Sequence, residues 1–159
     1  MKTTITYQDL MLRKACYDPQ EIGMPTDYSA TITEFINDYR DKVKDKEDII
    51  WAVCHNHYMT DRDLRLFAVW CAREALKLIK EPDQRSVTVC DVAERFANGN
   101  ATQDELAAAG DAAGDAARDA AGAAWAAWDA AGAAAGAAWA AWDAAGDAQI
   151  DQLLTYFNK

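Results

Sequence analysis

Cys54, His55 and His57 stand within four residues of one another in the run CHNH, which holds both histidines of the chain. Thiolate and imidazole are ligands that zinc takes in a closed tetrahedral set. A thiol beside an imidazole is also the start of an activated nucleophile, once a pocket and an orienting group are supplied. On a helix, Cys54 and His57 share a face at a spacing of three, and His55 does not. No second CxxC or HxxxH pair follows to complete a metal set. The simpler reading is a buried thiol beside a helix-end histidine. No glycine-rich phosphate loop, nucleophile elbow or paired-carboxylate signature occurs elsewhere. The residues therefore indicate no catalytic centre, no metal site and no cofactor, and the chain reads as a non-enzyme.

The segments that carry these residues have helical spacing. TYQDLMLRKAC has Tyr7, Leu10, Leu12 and Ala15 as its apolar members, and YDPQEIGMPTDYS, with two of the three prolines, reads as loop. Thr31-x-x-Glu34 is a capping-box pattern, followed by Ile32, Phe35, Ile36 and Tyr39 at helical spacing. EDIIWAVCHNHY places Ile50, Trp51 and Cys54 on one side. In TDRDLRLFAVWCAREALKLIK, Leu64, Phe67, Ala68, Cys71, Ala75, Leu78 and Ile79 form a stripe. Leu66, Val69, Trp70 and Leu76 lie off it, which predicts a helix in the middle of a bundle. SVTVCDVAERFANG reads as a helix with Val87, Cys90, Ala93 and Phe96 inward and Gly99 as its stop. Thr102-x-x-Glu105 is a second capping box, and no strand pair is evident. The expected fold is all-α: a helical bundle over residues 1–100, then an Ala-rich helical region over residues 101–159 packed on it or projecting from it.

That second region has an unusual code. From Ala107 to Ala148 it holds 25 Ala, 6 Gly, 6 Asp, 4 Trp and one Arg, and the phrase GAAWAAWDAAG occurs twice, 14 residues apart. Gly110, Gly114, Arg118, Gly122, Trp125, Trp128, Gly132, Gly136, Trp139, Trp142 and Gly146 follow one another at steps of three or four. That is one stripe down a helix. Glycine costs about 1 kcal/mol against alanine in a helix interior. Glycines held in register therefore imply notches for a neighbouring backbone or ring. Indole rings fill the next spaces along, and each buries about 150–250 Å² when covered. Gly122, Trp125, Trp128, Gly132, Gly136, Trp139, Trp142 and Gly146 are the expected packing seam. Asp111, Asp115, Asp119, Asp129, Asp143 and Asp147 each follow a stripe residue by one, so they form an acidic row beside the seam. Some 50 helical residues would span about 70–75 Å, against a diameter of about 40 Å for a compact domain of this length. The tract therefore either turns back near GAAAG or projects and pairs with a second copy.

The net charge is −10. Residues 1–99 carry 14 Lys and Arg against 17 Asp and Glu, and residues 100–159 carry 2 against 9. Phosphate contacts need cations, so direct nucleic-acid binding is not expected. A basic protein surface is the natural counterpart of such a face. Cys16, Cys54, Cys71 and Cys90 lie in separate segments and suit free thiols in a reducing compartment. No leader pattern opens the sequence and no run approaches the roughly 20 apolar residues of a membrane span. The expected location is cytoplasmic, away from membranes.

The segment LRLFAVWCAREAL…DQRSVTVCDVAERFANGNATQDELAAAGDAAGDAARDAA resembles an immunity-protein family found in bacterial and phage genomes. The shared features are a CA pair (Cys71-Ala72) on a helix and a D-x-R turn (Asp83, Arg85). They continue with the phrase from Phe96 to Leu106 and end in Ala-rich helices studded with Asp, Arg, Gly and Trp. The resemblance covers roughly Leu64 to Ala148. It implies a helical protein that inhibits a partner protein, a toxin or a defence enzyme, and it supplies no catalytic residues. Three non-enzymatic readings follow. One is an immunity-type or phage-encoded counter-defence inhibitor. Another is an acidic DNA mimic, with Asp111, Asp115 and Asp119 one helical turn apart. The third is a structural module that self-associates through the Trp/Gly seam.

Overall fold

The computed structural model describes the backbone of residues 1–15, 17–128 and 135–158, and the side chains of these residues outside 119–143. Seven helices and one two-stranded sheet occur among the described residues. The protein is thus mostly helical, but not purely all-α. The order is β1 (Thr4–Thr6), α1 (Tyr7–Leu12), β2 (Ser29–Thr31), α2 (Ile32–Tyr39), α3 (Lys46–Val53), α4 (Asp61–Lys77), α5 (Gln84–Ala97), α6 (Gln103–Trp128) and α7 (Ala135–Phe157).

The strands correct the expectation of no strand pair. They run antiparallel, with Thr4 opposite Thr31, Ile5 opposite Ala30 and Thr6 opposite Ser29. Three residues are too few for a period-two pattern to show against helical surroundings. Each strand also ends in the threonine that caps a helix. Thr6 accepts the Asp9 N–H while the Asp9 carboxylate accepts the Thr6 N–H, and Thr31 and Glu34 do the same for α2. These reciprocal caps satisfy donors that a helix start leaves orphaned.

Contacts group the chain into two compact units, Met1–Thr60 with Ala141–Lys159, and Asp61–Ala140. In the first unit Ile5, Leu10, Phe35, Ile36, Ile49, Val53, Ile150 and Leu153 are completely buried. Helix α2 buries the four residues that its spacing selects, Ile32, Phe35, Ile36 and Tyr39. Helix α3 differs from expectation: it buries Ile49, Ala52 and Val53, whereas Trp51 is exposed. The helix is short enough for either face to serve. The Arg13 guanidinium stacks on the outward Trp51 ring, 4.6 Å from its centroid. In α1, Tyr7 and Leu10 go inward and Leu12 stands in solvent.

In the second unit α5 packs against both α4 and α6. Helix α4 was expected in the middle, but only its Phe67 and Val69 are fully buried, and the chain beyond it exposes Leu78 and Ile79. The helix stops at Lys77, short of those two residues. Cys90 and Val92 are the buried residues of α5, and Val87, Ala93 and Phe96 are half-buried. The join to α6 is two cap motifs in succession. Gly99, at φ +75°, donates to the Phe96 carbonyl at 3.0 Å, and Asn100 donates to the Arg95 carbonyl at 2.7 Å. This is a Schellman stop, and its left-handed residue favours glycine. Thr102 and Glu105 then exchange the reciprocal bonds of a capping box, at 2.7 and 3.2 Å. The phrase from Phe96 to Leu106 is therefore a stop signal followed by a start signal.

Candidate functional site

The CHNH run lies just beyond α3. Val53 is the last helical residue, Cys54 caps the end with φ −75° and ψ 70°, and residues 55–57 form a turn. The helical spacing that would set Cys54 and His57 on one face does not apply there. The His57 N–H donates to Nδ1 of His55 at 3.1 Å, and the two rings are 4.4 Å apart between centroids. Among the described residues no three His, Cys, Asp or Glu side chains are placed to hold a metal ion. Burial, then the Arg13 cation, then His57 hold the His55 pKa below the ordinary histidine value.

Arg13 organises this region, and nothing in its sequence context singles it out. Its guanidinium donates to the Ala52 carbonyl at 2.7 Å and to the Trp51 carbonyl at 2.9 Å, and it stacks on the Trp51 ring. It thus caps the end of α3 with a cation, where the helix dipole favours one. A cleft of about 300 Å³ in the same unit is lined by Lys2, Thr31, Thr33, Tyr58, Tyr156 and Phe157, among others. Much of its polar lining is engaged: Lys2 by Asp9 at 2.6 Å, Thr31 by Glu34 at 2.8 Å, and Thr33 by Asn158 at 2.8 Å.

The acidic row is described at three of its six members. Asp111 and Asp115 lie one turn apart on α6 and are exposed, as is Asp104 in the first turn. Asp115 is paired with Arg118 of the same helix. The covered side of α6 is instead Leu106, Ala109, Ala112, Ala113 and Ala116, with Ala116 fully buried. Asp147 on α7, in the first unit, is placed differently. It lies 3.3 Å from Lys46 and 3.4 Å from Arg40, and Arg40 also holds Asp151 at 2.7 Å. Burial works against the Asp147 charge, but Lys46 and Arg40 outweigh it and keep its pKa below the usual aspartate value. The structure leaves Asp111 and Asp115 facing water and sets Asp147 to hold α7 in place. Asp119 and Asp143 have side chains outside the described set, and Asp129 lies outside the described residues.

Of the packing seam, Gly146 is described. A Cβ there would lie 2.7 Å from Lys46 Cβ and 3.0 Å from its Cγ, so the notch at Gly146 receives the stem of Lys46. The earlier stripe glycines behave otherwise. Gly110 has open space around it, and Gly114 meets only Arg118 of its own helix at 3.6 Å. Gly122, Trp125, Trp128, Gly136, Trp139 and Trp142 lie within α6 or α7 with side chains outside the described set, and Gly132 lies outside the described residues. The expected turn near GAAAG falls on residues 132–136, of which 132–134 lie outside the described residues and Ala135 and Gly136 begin α7.

Fold and site together define a mostly helical, acidic chain with a two-stranded sheet and an exposed carboxylate face on α6. No helix of the described residues is long and apolar enough to cross a membrane. No protein family, curated protein or solved structure matches the chain. The likeness to the immunity-protein family therefore rests on the residues quoted for it. Two of these have a local structural role. Asp83 caps α5 and is clasped by Arg85 Nε at 3.0 Å and Nη2 at 2.7 Å, which with the Arg85 N–H lowers its pKa to about 2.

Proposed function

We propose that the chain is a non-enzymatic inhibitor, of the immunity or counter-defence kind, that covers a basic surface of a partner protein with the acidic side of α6. The observation that carries this reading is the exposure of Asp104, Asp111 and Asp115 on a helix whose alanine side is the covered one. A row of exposed carboxylates with a single cation, Arg118, beside it favours a cationic partner and speeds its approach, and salt weakens both effects. The resemblance in Leu64 to Ala148 supports the same reading.

The test is affinity capture with the tagged full chain from cells that encode a candidate toxin or defence enzyme. The expected result is a stoichiometric complex with a basic protein whose activity falls on binding. The complex should weaken at high salt and in the Asp111→Asn, Asp115→Asn double variant. No stoichiometric partner, or a complex indifferent to both salt and the double variant, would overturn the proposal.

A further inference from the structure

We propose that the turn after α3 is an acid-sensitive fastener for the N-terminal strand, opened when His55 takes up a proton. The geometry is specific. Nδ1 of His55 accepts the His57 N–H, so in the neutral ring the proton sits on Nε2. The His57 carbonyl accepts the Lys2 N–H at 2.7 Å, two residues before β1 begins. The His55 carbonyl accepts the N–H groups of Tyr58 and Met59, both at 2.9 Å. One imidazole lone pair therefore helps to shape the turn whose carbonyl holds the start of the strand.

A second proton on the His55 ring must occupy Nδ1. The acceptor then becomes a donor facing a donor, and the His57 N–H loses its partner. The neighbours oppose the new charge. The His57 ring lies 4.4 Å away, and the Arg13 cation acts on His55 from beyond α1. Arg13 is tied to two carbonyls and a ring, so it is not free to swing aside. Asp9 is paired with Lys2, and both act on Tyr58.

The folded-state pKa of His55 is depressed, whereas in the unfolded chain it takes the ordinary value of about 6.5. Between the two, the unfolded chain binds more protons. The stabilisation from neutral His55 is fully present above about pH 6.5 and is lost as pH falls through the folded value. This holds whether or not the proposed function is correct.

The experiment is an NMR titration of the full ¹⁵N-labelled chain from pH 7.5 to 5, following the His55 ring and the protection factor of the Lys2 amide. Lys2 protection should fall about three- to tenfold, the range one net hydrogen bond is worth, with the midpoint of the His55 ring. His55→Asn keeps an acceptor oxygen near the Nδ1 position and cannot titrate, so its Lys2 protection should stay level. His57→Asn keeps the backbone N–H and removes a ring that opposes the charge on His55, so the fall in Lys2 protection should persist, with its midpoint and that of His55 moving up together. Level protection in the native chain, a midpoint different from that of His55, or a His55→Asn profile like the native one would overturn the proposal. If His55→Asn does not fold, the two midpoints in the native chain still decide.

Discussion

Two glycines of one stripe make opposite demands on their surroundings. At Gly146 an added Cβ meets Lys46 Cβ at 2.7 Å. That atom sits next to the backbone of the first residue of α3 and cannot swing away as a side-chain end can. Gly146→Ala should therefore destabilise the protein by roughly 1–3 kcal/mol, the usual range for overpacking, despite its better helix propensity. At Gly110 nothing lies within 4 Å and φ is helical, so Gly110→Ala should stabilise by up to about 1 kcal/mol. Thermal melts of the two variants test the contrast, and a fall in melting temperature for both would mean that Gly110 does not have open space around it in solution.

The end of α7 is held by two kinds of contact of unequal weight. Ile150 and Leu153 are fully buried, whereas Asp147 is half-exposed and Asp151 more so. Exposed ion pairs are worth at most about 1 kcal/mol, and salt screens them. Leu153→Ala should cost roughly 2–5 kcal/mol, and Arg40→Ala about 1 kcal/mol or less. Chemical denaturation of both variants gives the ranking. The pH dependence has a definite sign. The Asp147 pKa is lowered in the folded chain, so its contribution is present above the ordinary carboxylate value of about 3.9 and is lost as pH falls through the folded value. Asp147→Asn should remove that contribution, so stability between pH 6 and 8 falls modestly, the acid limb flattens, and the two chains converge below the folded value. An unaltered acid limb would mean that Lys46 and Arg40 do not hold this carboxylate in solution.

For the molecule as a whole, chain order and compact unit do not coincide. Residues Ala141–Lys159 belong with Met1–Thr60, and they contribute two of that unit's fully buried side chains. A chain cut after residue 140 should therefore lose hydrogen-exchange protection across β1, α2 and α3. Helices α4 and α5, whose buried residues Phe67, Val69, Cys90 and Val92 belong to the other unit, should keep theirs. Exchange measured by mass spectrometry separates the two regions directly. Equal loss in both, or no loss in either, would contradict this division.

The helices and their ends were legible from residue order alone wherever the signal is local. The capping boxes at Thr31 and Thr102, the stop at Gly99 and the inward face of α2 depend on neighbours within about one turn. The strands were not legible, because three residues carry no period and their pairing joins positions 23 to 27 apart. Nor was the placing of CHNH in a turn, because the end of α3 is capped by Arg13, which is 38 and 39 residues from the carbonyls it binds. The acidic row was legible as a row. Which of its members face water and which face Lys46 and Arg40 was decided only by packing, since a carboxylate spaced along a helix looks the same in sequence whether or not a cation lies opposite. That distinction separates a face left exposed to water from one used to hold the fold together.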